Sequence, residues 1–301
     1  MSDPSHKILM VIPSIEGGSL LERMLPTLRF APSSIVVLDQ GSTDTTEAVC
    51  AAAGVEIVQL GHPHTYTQAC NIGADLARSR GLDYVCVSNN DIVFRTDVMG
   101  EMLAEMERDM RLGIVAPSQN IIEENSNEQP LSYRVFWNLD RVDFFHDTHP
   151  AEGAATRLES DFCELTCALV RLSAINEIGF LDDEFGFYHE DADFGFRLRQ
   201  AGYSCAYLPA AQIDHFSSST FNQEKLARKA DYIAKNKLYF AEKHLGLGVH
   251  LAEPDPRSEE EKDVSTGRLY SYLKRFGLID KNAPELVLSH ADADTSDYLY
   301  T

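Results

Sequence analysis

Short apolar runs, each closed by a polar or turn-forming residue, set the tightest limit on the fold. Lys7–Pro13 (KILMVIP) and Ser34–Leu38 (SIVVL) are almost continuously apolar. Such runs read as strands buried on both faces. Val55–Leu60 and Leu82–Ser88 (LDYVCVS) read as two further strands, and Gly113–Ala116 as a short fifth. Helical patterns lie between them, at Ser19–Phe30, Asp44–Ala53, Thr67–Arg80 and Asp97–Met110. Pro26 weakens the second half of the first helix. Asp44 with Glu47 has capping-box spacing, and Gly54 closes that helix. Strand-helix alternation with buried strands predicts an α/β layer fold with a mainly parallel central sheet. In open sheets of this kind the ligand sits outside the carboxyl ends of the strands. Ser14, Asp39 and Asn89 fall there.

Leu181–His215 carries the densest chemistry. Glu190-Asp191-Ala192-Asp193 puts three carboxylates into four residues, directly before a helical pattern. Phe187, Phe194, Leu198 and Ala201 recur at helical spacing, and Gly202 stops the helix. Tyr203–Leu208 reads as a strand ended by Pro209. Acids in a first helical turn stabilise it by about 0.3–1 kcal/mol each through the helix dipole. The preceding Phe185-Gly-Phe-Tyr-His run instead sets aromatics against the acids, as a binding cleft would. Both readings stand on spacing alone.

Gln119–Glu159 shows no period and is rich in Asn, Glu, Asp and His, which predicts a functional loop or mobile lid. Phe162–Arg171 returns to an apolar pattern. Phe221–His244 reads as a long helix, and Thr266–Phe276 as one more in an acidic C-terminal region.

The formal net charge of -21 argues against nucleic acid as a partner, since no basic cluster offsets it. No apolar run nears the roughly 18 residues that span a membrane, and the first residues lack a signal-peptide layout. Contact with a membrane surface stays open. The six cysteines form no CxxC pair. Buried thiols in a reducing, cytoplasmic compartment are expected.

Three polar clusters follow strands. Asp39-Gln-Gly-Ser-Thr-Asp44 places a carboxylate where it can meet a nucleobase imide or ribose hydroxyls, or can simply form a capped turn. Ser88-Asn-Asn-Asp91 offers one carboxylate to a hard divalent cation on a diphosphate. One Asp cannot cage a metal, so Asp214-His215 is a candidate second source. Asp193 and Arg197 stand i, i+4 and are expected to pair, which makes Arg197 a structural partner.

Taken together the motifs resemble family 2 glycosyltransferases of the GT-A fold, most closely their rhamnosyltransferase-like branch. The matching stretches read LDQGSTDTT (38–46), Asn71-Ile-Gly73, Asn89-Asn-Asp91, YHEDADFGFRLRQAG (188–202) and His215. The basic, Asn-containing stretch Lys235-Asn236-Lys237 also resembles a family segment. The resemblance implies a Rossmann-like nucleotide-diphospho-sugar transferase domain over residues 1–245, followed by a partly helical acidic extension over 246–301. It implies inverting transfer from a nucleoside-diphosphate sugar to a saccharide or other hydroxyl acceptor, assisted by Mg²⁺ or Mn²⁺. Asp191 would be the general base, with Glu190 beside it. Asp91 and His215 would hold the metal. Pro13, Ser14, Glu16, Asp39, Ser42, Asn71 and Asn90 would line the nucleotide. Glu16 and Gln40 depart from the family pattern, where Asn or Asp is usual. A nucleotidyltransferase and a non-catalytic nucleotide-sugar-binding protein are the rival classes. The first would carry a basic, glycine-rich phosphate loop, and Ser14-Ile-Glu-Gly-Gly-Ser has no Lys or Arg.

Overall fold

The computed structural model describes residues 6–122, 131–138, 143–150, 156–216 and 223–245. In chain order it builds β1 (Ile8–Ser14), α1 (Gly18–Met24), β2 (Ile35–Asp39), α2 (Thr46–Ala53), β3 (Glu56–Gln59), α3 (Tyr66–Ser79) and β4 (Tyr84–Ser88). There follow β5 (Ile92–Phe94), α4 (Val98–Arg108), β6 (Leu112–Ile121), β7 (Leu131–Asn138), β8 (Asp143–Pro150), β9 (Leu158–Ser160) and β10 (Cys167–Arg171). The last elements are α5 (Leu172–Ile178), α6 (Glu190–Gln200), β11 (Ser204–His215) and α7 (Gln223–Leu245). By internal contacts the chain parts into two units, residues 1–136 with 146–221, and residues 137–145 with 222–301. The first unit holds β1–β6, β9–β11 and the site residues discussed below. The expected extension over 246–301, with its helix at Thr266–Phe276, lies outside the described residues.

The strands form one sheet in the order β3-β2-β1-β4-β10-β6-β11-β5. β1 pairs in parallel with β2 and β4, β2 with β3, and β6 with β11. β10 runs antiparallel between β4 and β6, so the sheet is mixed. Burial explains the continuous apolar runs. All of Ile8–Ile12 and Ile35–Leu38 is buried, because helices cover both faces.

Several local expectations are corrected. The first helix ends at Met24, and Leu25–Thr27 tightens into a 3₁₀ turn around Pro26. Asp44 forms no capping box with Glu47. Thr45 is the cap residue of α2, and Asp44 bonds the Thr46 N–H and the Gly18 N–H instead. Pro209 does not end β11. The strand runs on to His215, and its register with β6 shifts between Leu208 and Gln212, where the proline is accommodated. β5 has no counterpart in the sequence reading. The aperiodic 119–159 stretch contains the end of β6, all of β7 and β8, and the start of β9; its residues 123–130, 139–142 and 151–155 lie outside the described set. Phe187 lies before α6, and Ala201 is exposed just beyond it. Phe194 and Leu198 are buried as expected, and Glu190, Ala192, Asp193 and Gly195 are buried with them. A side chain at Gly195 would put its Cβ 2.2 Å from that of Phe162, so the approach of α6 to this segment requires glycine.

Arg171 shows how the core absorbs a cation. It is 5% exposed. Its guanidinium donates to the carbonyls of Met106 (2.6 Å), Asp109 (3.2 Å) and Leu112 (2.8 Å). These are carbonyls at and beyond the C-terminus of α4, where the helix dipole favours positive charge. Arg197 works similarly. It pairs with buried Asp193 at 2.8 Å, as its spacing predicts. It also donates to the carbonyls of Ile178, Gly179 and Phe180. All six cysteines are buried and free.

Candidate active site

The carboxyl ends of β1, β2, β4, β6 and β11 and the start of β10 share one edge of the sheet. The loops after β1 and β2 are stitched together there. The Glu16 N–H donates to Ser42 Oγ (2.8 Å), and its carboxylate accepts from the Thr43 N–H (2.8 Å) and hydroxyl (3.1 Å). Glu16 adopts φ 48°, a left-handed conformation that turns its chain toward the second loop. Asp39 is 2% exposed and accepts from the Ser42 N–H (3.2 Å) and hydroxyl. Pro13 and Ser14 stand opposite Leu38 and Asp39 in the parallel register. Ser14 Oγ accepts from Asn90 Nδ2 at 2.9 Å, which ties β1 to the turn after β4. Gly17 packs against that bond. A Cβ there would lie 2.1 Å from Ser14 Oγ and 2.7 Å from Asn90 Nδ2.

Asp91 and His215 are distant in sequence and adjacent in space. β11 pairs with β5 so that His215 faces Ile92, and the Phe216 N–H donates to the Asp91 carbonyl at 2.9 Å. Asp91 Oδ1 lies 3.4 Å from His215 Nε2. That carboxylate oxygen is buried and has no hydrogen bond. These two ligand-type atoms stand about half an ångström wider than the edge of about 2.9 Å between neighbouring ligands of an octahedral cation with bonds near 2.0–2.1 Å, so a small side-chain adjustment would bring both onto one ion. No group of three or more His, Cys, Asp or Glu able to hold a metal occurs among the described residues. With only these two such groups from the described residues, a cation here would draw further ligands from water and phosphate. Asp214 does not join them. It accepts from Arg95 Nε (2.6 Å) and Asn120 Nδ2 (3.1 Å), which clamps β11 to its neighbours.

The acids stand at the start of α6. Tyr188 (φ 67°) and His189 (φ 70°) are both left-handed, a conformation that costs about 1–2 kcal/mol per residue outside glycine. Surrounding bonds hold it. Asn71 Nδ2 donates to the Leu181 carbonyl (2.9 Å) and to Asp183 (3.0 Å), and its oxygen accepts from the Leu181 N–H (3.1 Å). The Thr67 N–H donates to the Gly186 carbonyl at 3.2 Å. Asn71, expected to touch the nucleotide, thus has its amide engaged by the loop that leads to the acids. Glu190 is 6% exposed, and its Oε2 has no hydrogen bond. Burial, and then the charge of Asp191, push its carboxyl well above the usual carboxylate range. Asp191 is half-buried, and its Oδ1 accepts from the Ala192 N–H at 2.7 Å. Tyr66 donates to the Leu165 carbonyl at 2.7 Å. Burial, with smaller contributions from Cys70, Glu190 and Asp191, pushes its phenol upward.

A profile described as glycosyl transferase family 2 matches residues 10–179, more than half of the chain. This chain belongs to glycosyl transferase family 2. A second profile, glycosyl transferase family group 2, matches residues 162–250. An N-acetylglucosaminyl-diphospho-decaprenol L-rhamnosyltransferase of Mycobacterium tuberculosis is 27% identical over 263 residues, covering 79% of this chain and 85% of that protein. A pre-mycofactocin glycosyltransferase of the same organism is 29% identical over 241 residues, covering 77% of this chain and 47% of that one. The chain is a glycosyltransferase of the rhamnosyltransferase-like branch. Its fold resembles solved structures of GalNAc-T7 with UDP, GalNAc and Mn²⁺ (TM-score 0.56, 14% identity) and of S. aureus TarS (TM-score 0.53, 11% identity). The first match covers 91% of this chain and 55% of that one, the second 78% and 40%. These likenesses establish the GT-A fold. Among the described residues no helix is long and apolar enough to cross a membrane.

Two polar residues at this edge were not among the candidate site residues, Gln119, which opened the stretch expected to be a functional loop, and Glu164. Gln119 is 3% exposed, and its Nε2 donates to Glu164 Oε2 at 2.8 Å. The usable signal was the polar run Ser118-Gln119-Asn120 directly after an apolar strand.

Proposed function

We propose that the chain transfers a hexosyl or deoxyhexosyl group from a nucleoside diphosphate to an acceptor hydroxyl with inversion at the anomeric carbon. The observation that carries this reading is the Asp91–His215 pair, 3.4 Å apart beside the strand edge that holds Asp39. Asp39 accepts from the nucleobase or ribose, and Pro13, Ser14, Glu16, Ser42 and Asn90 shape the nucleotide pocket. Asp91 and His215 would hold Mg²⁺ or Mn²⁺ at the diphosphate end of the site. The cation, when bound, would offset the negative charge that grows on the leaving group. The bond from the anomeric carbon to the diphosphate breaks, and its electron pair leaves on the diphosphate oxygen. The acceptor oxygen attacks from the opposite face and gives its proton to Asp191.

Asp191 suits the base because it is reachable and sits in the first turn of α6, where the dipole favours the anion. Glu190 is a buried neighbour whose carboxyl is pushed toward its neutral form by burial and by the charge of Asp191. Asn71 is better assigned to holding the acid-bearing loop than to the nucleotide. The name of the rhamnosyltransferase relative makes a deoxyhexosyl donor and a lipid-linked acceptor the first to try. Six free, buried thiols fit a reducing, cytoplasmic setting. The direct experiment supplies UDP-, GDP- and dTDP-sugars with Mn²⁺ and an acceptor panel. Release of free nucleoside diphosphate with formation of a glycosylated acceptor supports the reading. Release of pyrophosphate, or binding without turnover, sinks it.

A further inference from the structure

We infer that Glu164 and Gln119 form the subsite that reads the hydroxyls of the transferred sugar. This rests on the glycosyl-transfer reading above and names the residues that select its donor.

The transferred sugar must lie between two groups. The anomeric carbon is bonded to the diphosphate, which the Asp91 end holds, and the acceptor oxygen reaches it from the Asp191 end. The sugar ring therefore occupies the space between them. The segment 164–166, at the start of β10, is tied to both sides. The Asn89 N–H, two residues before Asp91, donates to the Thr166 carbonyl at 2.8 Å. The Tyr66 hydroxyl, in electrostatic reach of both acids, donates to the Leu165 carbonyl at 2.7 Å. Antiparallel pairing of Cys167 with Ser88 brings the start of β10 to the carboxyl end of β4.

Glu164 is the charged side chain of that segment. It is half-buried, and its backbone N–H is fixed by the buried Tyr207 hydroxyl at 2.9 Å. Gln119 reaches it from the end of β6 and fixes one carboxylate oxygen at 2.8 Å. A carboxylate has about four acceptor positions, so it can accept from sugar hydroxyls beside the partners it already has. An oriented carboxylate beside an amide offers both an acceptor and a donor to adjacent hydroxyls of one ring. A site built to bond a hydroxyl discriminates strongly against a ring that lacks it or points it elsewhere. Such a pair has no evident use for the nucleobase or the diphosphate, whose partners lie on β1, β2 and the turn after β4.

The test is calorimetry on the full chain with Mn²⁺. UDP, GDP and dTDP are titrated first, then UDP-glucose, UDP-galactose, GDP-mannose and dTDP-L-rhamnose. The donor that gains most over its parent nucleoside diphosphate serves as the probe. Glu164→Gln should weaken that donor about tenfold or more and narrow the gap between the glucose and galactose epimers. The Kd of the parent nucleoside diphosphate should stay within about twofold. Gln119→Ala should move the same quantities in the same direction, and it carries the test if Glu164→Gln melts early. Unchanged donor affinity and epimer discrimination in both variants would overturn the inference. So would equal losses for donor and parent diphosphate, which would move the pair into the nucleotide site. If the wild type binds no nucleoside diphosphate at all, the glycosyl-transfer reading falls first.

Discussion

Around β1 and β2 the polar groups of the site bond one another on largely ordinary backbone, whereas the start of α6 combines strained backbone with a buried carboxylate oxygen that has no hydrogen bond. Glu16 holds Ser42 and Thr43, Asp39 holds Ser42, and Asn90 holds Ser14. The backbone there is ordinary apart from Glu16. At the start of α6, two consecutive residues are left-handed and Glu190 keeps a buried oxygen without a hydrogen bond. The bracing comes from outside the strained segment, through Asn71, Thr67 and Arg197. The contrast fits two duties. A nucleotide pocket gains from being preformed, because less ordering is left for the moment of binding. A base must be held where its protonation can change, and the surrounding fold offsets the strain of keeping it there.

The largest expected effect divides the two regions outright. Asp191→Asn keeps the shape and removes the basicity, so turnover should fall about 10²-fold or more. Nucleoside diphosphate binding should persist. Steady-state kinetics and calorimetry on the same preparation check both, and lost binding would place Asp191 in the nucleotide site.

Asn71→Ala comes next. Losing the brace on Leu181 should lower turnover about tenfold through misplacement of the acids, with a smaller change in nucleotide affinity. An unchanged turnover number would show that the strained segment holds itself.

Glu190→Gln probes the buried acid through pH. Its folded pKa is raised above the ordinary 4.5. The stability its neutral form contributes is therefore fully present below pH 4.5 and is lost as pH rises toward the folded pKa. Glutamine mimics the neutral form at every pH. The melting temperature of the variant relative to wild type should thus rise from pH 5 to pH 8, and a constant difference would mean that Glu190 has a partner keeping it ionised.

Glu16→Gln is the mildest. It keeps the acceptor for Thr43 and removes only the charge, so stability should drop by about 0.5–1 kcal/mol. A large loss in a melting curve would mean that the stitched loops depend on charge.

Much of this architecture was legible before any coordinates. β1, β2, β4, α3 and α7 follow from apolar runs and helical spacing, because their neighbours bury them in the regular way. The misses cluster where function interferes with pattern. The buried polar end of β6, Ser118-Gln119-Asn120, breaks the apolar rule, so a long strand read as a short one followed by a loop. β5 is three residues long and stands directly after Asp91, where the chain reads as a turn. Pro209 resembles a stop, yet a register shift absorbs it. In the site, the order of the motifs pointed to the individual residues. It could not say that Asp91 and His215 meet, that Asn71 faces the acid loop, or that Glu190 is the more buried acid. Those are pairings between distant segments, and only tertiary packing fixes them.

The central claim is that Asp91 and His215 join to hold a cation on the donor diphosphate. Calorimetry of the best-bound nucleoside diphosphate, with and without Mn²⁺, tests it most directly in wild type, Asp91→Ala and His215→Ala. The account predicts tighter binding with Mn²⁺ in wild type. It predicts loss of that gain in Asp91→Ala and a weakened gain in His215→Ala, with the metal-free Kd little changed. An equal Mn²⁺-dependent gain in Asp91→Ala and wild type would contradict it.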